Sequence, residues 1–343
     1  MRTPQLVVFP AASPHAANLT ALLFILLVQE TTAFVFRSTP PVRRSHLFAA
    51  PDSDVEDVLD SAAVVAERVA RAAGLEILAG MGADVRKEKA NFKDIVTEVD
   101  GRCQELIKAE IAAEFPDHDF LGEEDVPPGS AEAAAAIETS LASAEWCWIC
   151  DPVDGTTNLA AGIPLVTTSI ALVRNGVVEL GVVFDPNRDE LFLARRGQGY
   201  ATLNGQRLTC ARPAVSRMKD AVLCVGNPPE PSAFARNVEV IRRVGPKVRG
   251  LRMLSSAALI FCWVALGRVT AYVASDINAW DFAAGQLVVE ETSSGATSDH
   301  FGGPLLLTTR DTVCSSGGVH DELLEVMCDA TKGMTKGRED REG

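Results

Sequence analysis

Residues 148–158 read WICDPVDGTTN. An apolar run leads straight into Asp151. A second carboxylate follows at Asp154, and Gly155, Thr156, Thr157 and Asn158 close the segment. EWCWICD reads as a buried strand, so both carboxylates stand at a strand end, with Pro152 fixing the turn between them. Gly155 and Thr156 then start a turn whose backbone N–H groups suit a phosphate oxygen. Carboxylates without a neighbouring His or Cys favour hard, oxygen-preferring cations such as Mg2+. Taken alone, DPVDGTT reads equally well as a solvated polar turn after a strand.

Working outward, more acids stand at predicted element ends. Glu123, Glu124 and Asp125 follow LG, Asp100 closes TEVD, and Asp281 follows Trp280. Each is locally bland, because acids at helix starts offset the dipole in any case. Together they supply the several carboxylates that a multi-metal phosphoryl site requires. The five histidines show no HExxH or other metal spacing. The eight cysteines are scattered and form no disulfide framework. Cys147 and Cys150 are three apart on the predicted strand and face opposite sides, so a shared zinc or disulfide would need a different backbone. RRGQGYA lacks the third glycine of a nucleotide loop and reads as a structural turn, with Arg195 and Arg196 solvated. Phe261 and Trp263 read as core.

The element pattern is layered. Ser53 and Glu56 form an S-x-x-E capping box, and apolar spacing predicts a helix over 54–80. Thr97 caps a second helix that stops before Pro116. DFLG is a short strand, and an Ala-rich helix follows PPG. Asn175-Gly176 and Asn204-Gly205 each mark a hairpin. From residue 232 a helix to 244, the strand VRGLR, the helix SSAALIFCWVALG, the strand VTAYVA and the helix WDFAAGQLVVEE alternate. Helix pairs and antiparallel sheets in succession predict stacked layers of both kinds, not a doubly wound parallel sheet.

The chain has 343 residues and a net charge of −14, which argues against nucleic acid as a partner. The charge is uneven. Residues 1–51 hold four basic residues and one acid, leaving 28 basic and 45 acidic residues, a net of −17. That shift marks a leader over 1–50. Residues 17–28 are too short to span a bilayer, which needs about 20 residues, but suit a signal-peptide core of about residues 1–33. Residues 34–50 carry Arg, Ser and Pro and no acid, as transit peptides do. The arrangement resembles a bipartite plastid-targeting leader; plain secretion and an uncleaved anchor are the alternatives. No stable membrane span is expected in the mature chain, and residues 333–343 read as a polar tail.

Four motifs in this order carry a family resemblance: K-x4-DIVTEVD, LGEE, WICDPVDGTTN and AWDFAAG-x-LVVEE. Over residues 54–330 the chain resembles the inositol monophosphatase family. The resemblance implies one phosphatase domain over 51–332, built as a layered α-β-α-β-α sandwich of the inositol monophosphatase and fructose-1,6-bisphosphatase type. It also implies two to three Mg2+ ions, inhibition by lithium and a homodimer. By position, Glu123, Asp151 and the carbonyl of Val153 resemble ligands of a first metal. Asp151, Asp154 and Asp281 resemble those of a second, and Glu123 borders a third. Asp100 and Thr156, with Glu123, match the catalytic group that orients and deprotonates water. Gly155 and Thr156 N–H groups and Lys89 match phosphate contacts, and Glu124 stands behind the ligands. Ser256 and Ala257 match positions lining the substrate.

The departures fall on the alcohol side. Ala274 stands where inositol-selective members carry a Glu, and Asp276 two residues on is the candidate replacement. Ser255 stands where many relatives have Gly. The function implied is hydrolysis of a small phosphate monoester, inositol 1-phosphate first. L-galactose 1-phosphate, histidinol phosphate and 3′,5′-bisphosphonucleotides are the competitors. A non-catalytic phosphatase-like binding protein is the reading from a different class, and it predicts a broken metal set.

Overall fold

The computed structural model describes residues 53–89, 92–93, 95–208 and 215–327. The expected leader and the 333–343 tail lie outside the described residues.

The first layer is a helix pair. Helix α1 (Ser53–Ala79) buries Leu59, Ala62, Val69, Ala73 and Ile77 on one face. A two-stranded ribbon, β1 (Val85–Glu88) and β2 (Ile95–Thr97), leads into α2 (Glu98–Glu114). Thr97 caps α2 as expected, its hydroxyl accepting from Val99 N. The Ser53 capping box does not form. The Ser53 hydroxyl donates to Asp54, and Glu56 is drawn instead into an ion pair with Arg195. Arg195 is therefore not solvated. Its side chain is 11 % exposed and ties to Glu56 and Asp60, because two acids on α1 compensate its charge. Arg196 likewise turns back onto Val178 O at 2.6 Å.

The second layer is a seven-stranded sheet in the order β3-β4-β5-β6-β7-β8-β9. Its strands are β3 (Asp119–Gly122), β4 (Trp146–Asp154), β5 (Thr167–Arg174), β6 (Val177–Asp185), β7 (Glu190–Arg195), β8 (Ala201–Leu203) and β9 (Gln206–Arg207). Only β3 and β4 run parallel. The two expected hairpins form with positive φ at both central residues: 48° and 79° at Asn175-Gly176, 50° and 74° at Asn204-Gly205. Primed turns of this kind match the strand twist. Alternation along β4 sends Trp148 and Cys150 toward the α1–α2 core and Cys147 and Ile149 toward the opposite core. The two cysteines thus face opposite sides, as their spacing on a strand requires.

Between β3 and β4 lies the Ala-rich helix α3 (Ser130–Ser143), and after β4 the short helix α4 (Thr156–Ala160). The remaining chain builds three more layers. A five-stranded sheet has the order β11-β10-β12-β14-β13. It uses β10 (Val222–Val225), β11 (Gly250–Arg252), β12 (Ala271–Ala274), β13 (Ala296–Ser298) and β14 (Thr312–Ser315). Outside it, α5 (Pro231–Val244) and helical residues 320–327 cover one face through Val240, Val244, Leu323 and Val326. Between the sheets lie α6 (Ala257–Ala265) and α7 (Ala279–Glu290), apolar nearly all round because both faces are buried.

The sandwich closes tightly at two glycines. A Cβ on Gly181 of β6 would lie 2.6 Å from Ala284 O of α7, and one on Gly285 would lie 2.6 Å from Phe261 Cβ of α6. Phe261 is core, as expected. Trp263 is instead half-buried at the layer's rim, with the Arg188 and Arg268 guanidiniums 5.1 and 5.6 Å from its ring. The GQG segment is a structural turn: Gly197 and Gly199 N–H donate to the Glu291 carboxylate at 2.8 and 2.6 Å. The expected α-β-α-β-α sandwich is the architecture observed.

Candidate active site

Asp151 and Asp154 reach one site through a bulge. Along β4 and β5, Asp151 pairs with Ser169 and Asp154 with Thr167. Three steps on β4 therefore match two on β5. The extra residue falls at Pro152-Val153, where Pro has no N–H to lose from the ladder. Without it, carboxylates three apart would point to opposite faces. The Val153 N–H donates to Asp151 Oδ1 at 3.0 Å and fixes the turn.

Gly155 then takes φ 102°, with a would-be Cβ 2.8 Å from Leu165 O, so the turn into α4 admits no side chain. Asn158 Nδ2 donates to Leu165 O and Leu254 O at 2.9 and 2.7 Å and holds this turn against the second half of the fold. Asp154 extends that link. Its carboxylate accepts from Ser256 Oγ, Thr167 Oγ1, Ala257 N and Ala258 N at 2.7 to 3.0 Å, at the start of α6. The Ser256 hydroxyl is therefore engaged by Asp154, while Ser256 and Ala257 both border the cavity.

Asp100 and Thr156 meet although 56 residues apart. The Thr156 hydroxyl donates to Asp100 Oδ1 at 2.9 Å, and Asp100 Oδ2 accepts the Thr97 N–H and hydroxyl at 2.8 and 2.6 Å. Burial raises the Asp100 pKa above the usual range against these bonds, which lower it. Asp281 sits in the first turn of α7, with the Asn278 N–H donating to its Oδ2 at 2.6 Å.

Glu123 and Glu124 share one ammonium. Lys89 Nζ donates to each at 2.9 Å. Burial alone would lower the Lys89 pKa, but the two carboxylates more than offset it and hold it above the ordinary value. Glu124 is nevertheless pushed up to about 7, by burial and then by the charge of Glu123. A single ammonium does not neutralise two half-buried acids. Asp151 and Asp281 stand well above the carboxylate range, through burial first and then the charge of Glu123. Burial also raises Asp154.

These acids fit oxygen-preferring divalent cations: the donors are carboxylates and one carbonyl, they are buried or half-buried, and they repel one another. Among the described residues no group of three His, Cys, Asp or Glu side chains is already arranged to hold a metal ion. The fit therefore rests on donor chemistry and uncompensated charge. It has a measurable consequence. The folded-state pKa of Glu124 lies above its unfolded value, so its contribution is fully present below about 4.5 and lost as pH rises through about 7. Asp100, Asp151, Asp154 and Asp281 shift in the same direction. Metal-stripped protein is expected to melt higher at about pH 5.5 than at about pH 7.5, with Mg2+ narrowing the gap. Calorimetric scans check this; a midpoint that rises with pH without metal would contradict it.

A cavity of about 710 Å3 opens over the acids and runs from Lys89 to Arg310. Glu123, Asp154, Thr156 and Asp281 line its acidic end. Ala274 and Asp276 line the other end, as do Ser130 of α3 and Arg310, which sequence reasoning missed. Nothing local marks Ser130 or Arg310, since only the packing of distant loops brings them to the site. Ser255 takes φ 55°. A left-handed conformation costs a non-glycine residue about 1–2 kcal/mol, part of which glycine returns as unfolded-state entropy. Ser255→Gly is expected to stabilise the fold by about 0.5–1 kcal/mol, read from urea denaturation.

Residues 58–332 match the model of the Inositol monophosphatase family. The chain belongs to this family. It is 35% identical over 241 residues to a fructose-1,6-bisphosphatase/inositol-1-monophosphatase of Thermotoga maritima, covering 70% of this chain and 85% of that one. It is 35% identical over 270 residues to the Nus factor SuhB of Pasteurella multocida, covering 76% and 93%. Among solved structures, a Thermotoga maritima IMPase superposes with a TM-score of 0.67 at 31% identity, covering 81% of this chain and 99% of that one. Inositol monophosphatase relatives make this chain a phosphatase of small phosphate esters within a generally metal-dependent family. No described helix is long and apolar enough to cross a membrane.

Proposed function

We propose that the protein is a Mg2+-dependent phosphate monoesterase acting on a small polyol phosphate, with inositol 1-phosphate the first substrate to test. The observation that carries this reading is the Thr156–Asp100 hydrogen bond at 2.9 Å, standing beside a set of buried, mutually repelling acids. Glu123, Asp151, the Val153 carbonyl, Asp154 and Asp281 would hold two to three cations. When bound, these neutralise the phosphate dianion and acidify a water.

The chain's own residues do the rest. The Thr156 hydroxyl donates to Asp100, so its oxygen lone pairs face outward to accept a proton from water. Asp100, raised by burial, is a stronger base than a solvated carboxylate and takes the proton that Thr156 passes on. Gly155 lines the cavity at the start of α4, whose first N–H groups have no intrahelical acceptor and suit a phosphate oxygen. Lys89 adds positive charge at the acidic end of the cavity. Ala274 on the cavity wall supports a substrate alcohol other than inositol as the second reading.

The test is phosphate release with Mg2+, with and without lithium, across inositol 1-phosphate, L-galactose 1-phosphate, histidinol phosphate and a 3′,5′-bisphosphonucleotide. One dominant, lithium-sensitive substrate supports the reading. No release from any, with no Mg2+ binding by calorimetry, would favour a non-catalytic binding protein. The family supports a homodimer, testable by sedimentation. The acid-free segment 34–50 supports delivery to a plastid, testable with a fluorescent fusion.

A further inference from the structure

One end of the cavity, joined to Asp281 through Asn278, carries a charge pair in addition to the acids that would hold cations. Arg310 Nε and Nη2 donate to Asp276 Oδ1 at 3.2 and 2.6 Å, and its Nη1 donates to Asn278 Oδ1. From the facing wall, Ser130 Oγ donates to the same Asp276 Oδ1 at 2.9 Å. Among the described residues Asp276 Oδ2 accepts no hydrogen bond. Both Asp276 and Arg310 line the cavity. The pair is mostly enclosed, with side chains 13% and 26% exposed. Asp276 is held there by a left-handed φ of 60° and by its N–H, which donates to Asp311 Oδ1 at 3.0 Å.

A guanidinium on a cavity wall is a ready site for a phosphate or carboxylate. Paired with a carboxylate it is not, because the two charges cancel beyond a few ångströms. One carboxylate oxygen is left over, which accepts from a hydroxyl and repels an anion. We propose that Asp276 determines specificity by masking Arg310, so that this end takes the neutral, hydroxyl-bearing part of a monophosphate and turns away an alcohol bearing a second phosphate or a carboxylate. This rests on the phosphatase reading and names the substrate class within it. Discrimination here uses a repulsive element as well as an attractive one.

The test compares steady-state phosphate release from inositol 1-phosphate and from fructose 1,6-bisphosphate, under saturating Mg2+, for wild type, Asp276→Asn, Arg310→Gln and the double variant. Asp276→Asn unmasks the guanidinium. The ratio of kcat/KM for bisphosphate over monophosphate is expected to rise about tenfold or more, through KM rather than kcat. Arg310→Gln leaves the Asp276 charge unpaired, and the same ratio is expected to fall about tenfold. The double variant, lacking both charges, loses the gain of Asp276→Asn. Opposite signs in the two single variants separate charge selection from a general loosening of the loop, and Asp276→Gly, which the left-handed φ of 60° suits, replaces Asp276→Asn if that variant does not fold. An active wild type whose ratio moves the same way in both single variants, or not at all, overturns this inference alone. A wild type inert toward both substrates and toward the other esters named above, with no Mg2+ binding by calorimetry, overturns the phosphatase reading and this inference with it.

Discussion

Asp151→Asn is expected to lower phosphate release by about 10³-fold or more, while raising the stability of the metal-free protein by about 1–2 kcal/mol. The two effects have one cause. Asp151 is buried among Glu123, Asp154 and Asp281, and its pKa stands well above the carboxylate range because burial and those charges disfavour its ionised form. Asn keeps the shape and can still accept the Val153 N–H through its Oδ1. It removes one charge from a group that repels itself, so the empty fold relaxes. The same charge is what a cation would use, so activity and the stabilisation given by Mg2+ both fall. Phosphate-release rates together with urea denaturation in chelator check both halves. A variant that stays active, or is less stable than wild type without metal, would contradict the account. The stability gain should grow with pH toward neutrality, since the wild-type cluster is increasingly ionised there.

Thr156→Val is expected to reduce kcat by about 10²–10⁴-fold with KM nearly unchanged, and to cost only about 0.5–1.5 kcal/mol of stability. The substitution is close in volume and removes only the hydroxyl that donates to Asp100 at 2.9 Å and approaches Val153 O at 3.2 Å. Asp100 keeps its two bonds from Thr97, so the carboxylate stays where it is. Thr156→Ser, which restores the hydroxyl, should recover most of the rate. Equal losses in the Val and Ser variants would mean that the methyl group, not the proton path, is what matters at this position.

Much of this was legible from local chemistry. The two Asn-Gly hairpins, the Thr97 cap, the opposed faces of Cys147 and Cys150 and the structural GQG turn each depend on a few adjacent residues. In each the backbone did what the residue types demand. Failures came where a distant partner competed. Glu56 left its capping box because Arg195 offered a charge, and Arg195 left solvent for the same reason. Trp263 looked like core beside Phe261, but two guanidiniums meet it at the rim.

For the site, local chemistry set the inventory: paired aspartates at a strand end, a glycine turn, and acids at element starts in a characteristic order. Those features follow from short-range backbone limits and hard-cation chemistry, which act within a few residues. How they combine depends on long-range packing. The bulge at Pro152-Val153 turned Asp151 and Asp154 toward one side, because one extra residue reverses the facing of a strand. Packing of α6 under Asp154, and of the Arg310 segment against Asp276, then set the two ends of the cavity. Those contacts join residues 104 and 34 positions apart, and no local propensity encodes a separation of that size.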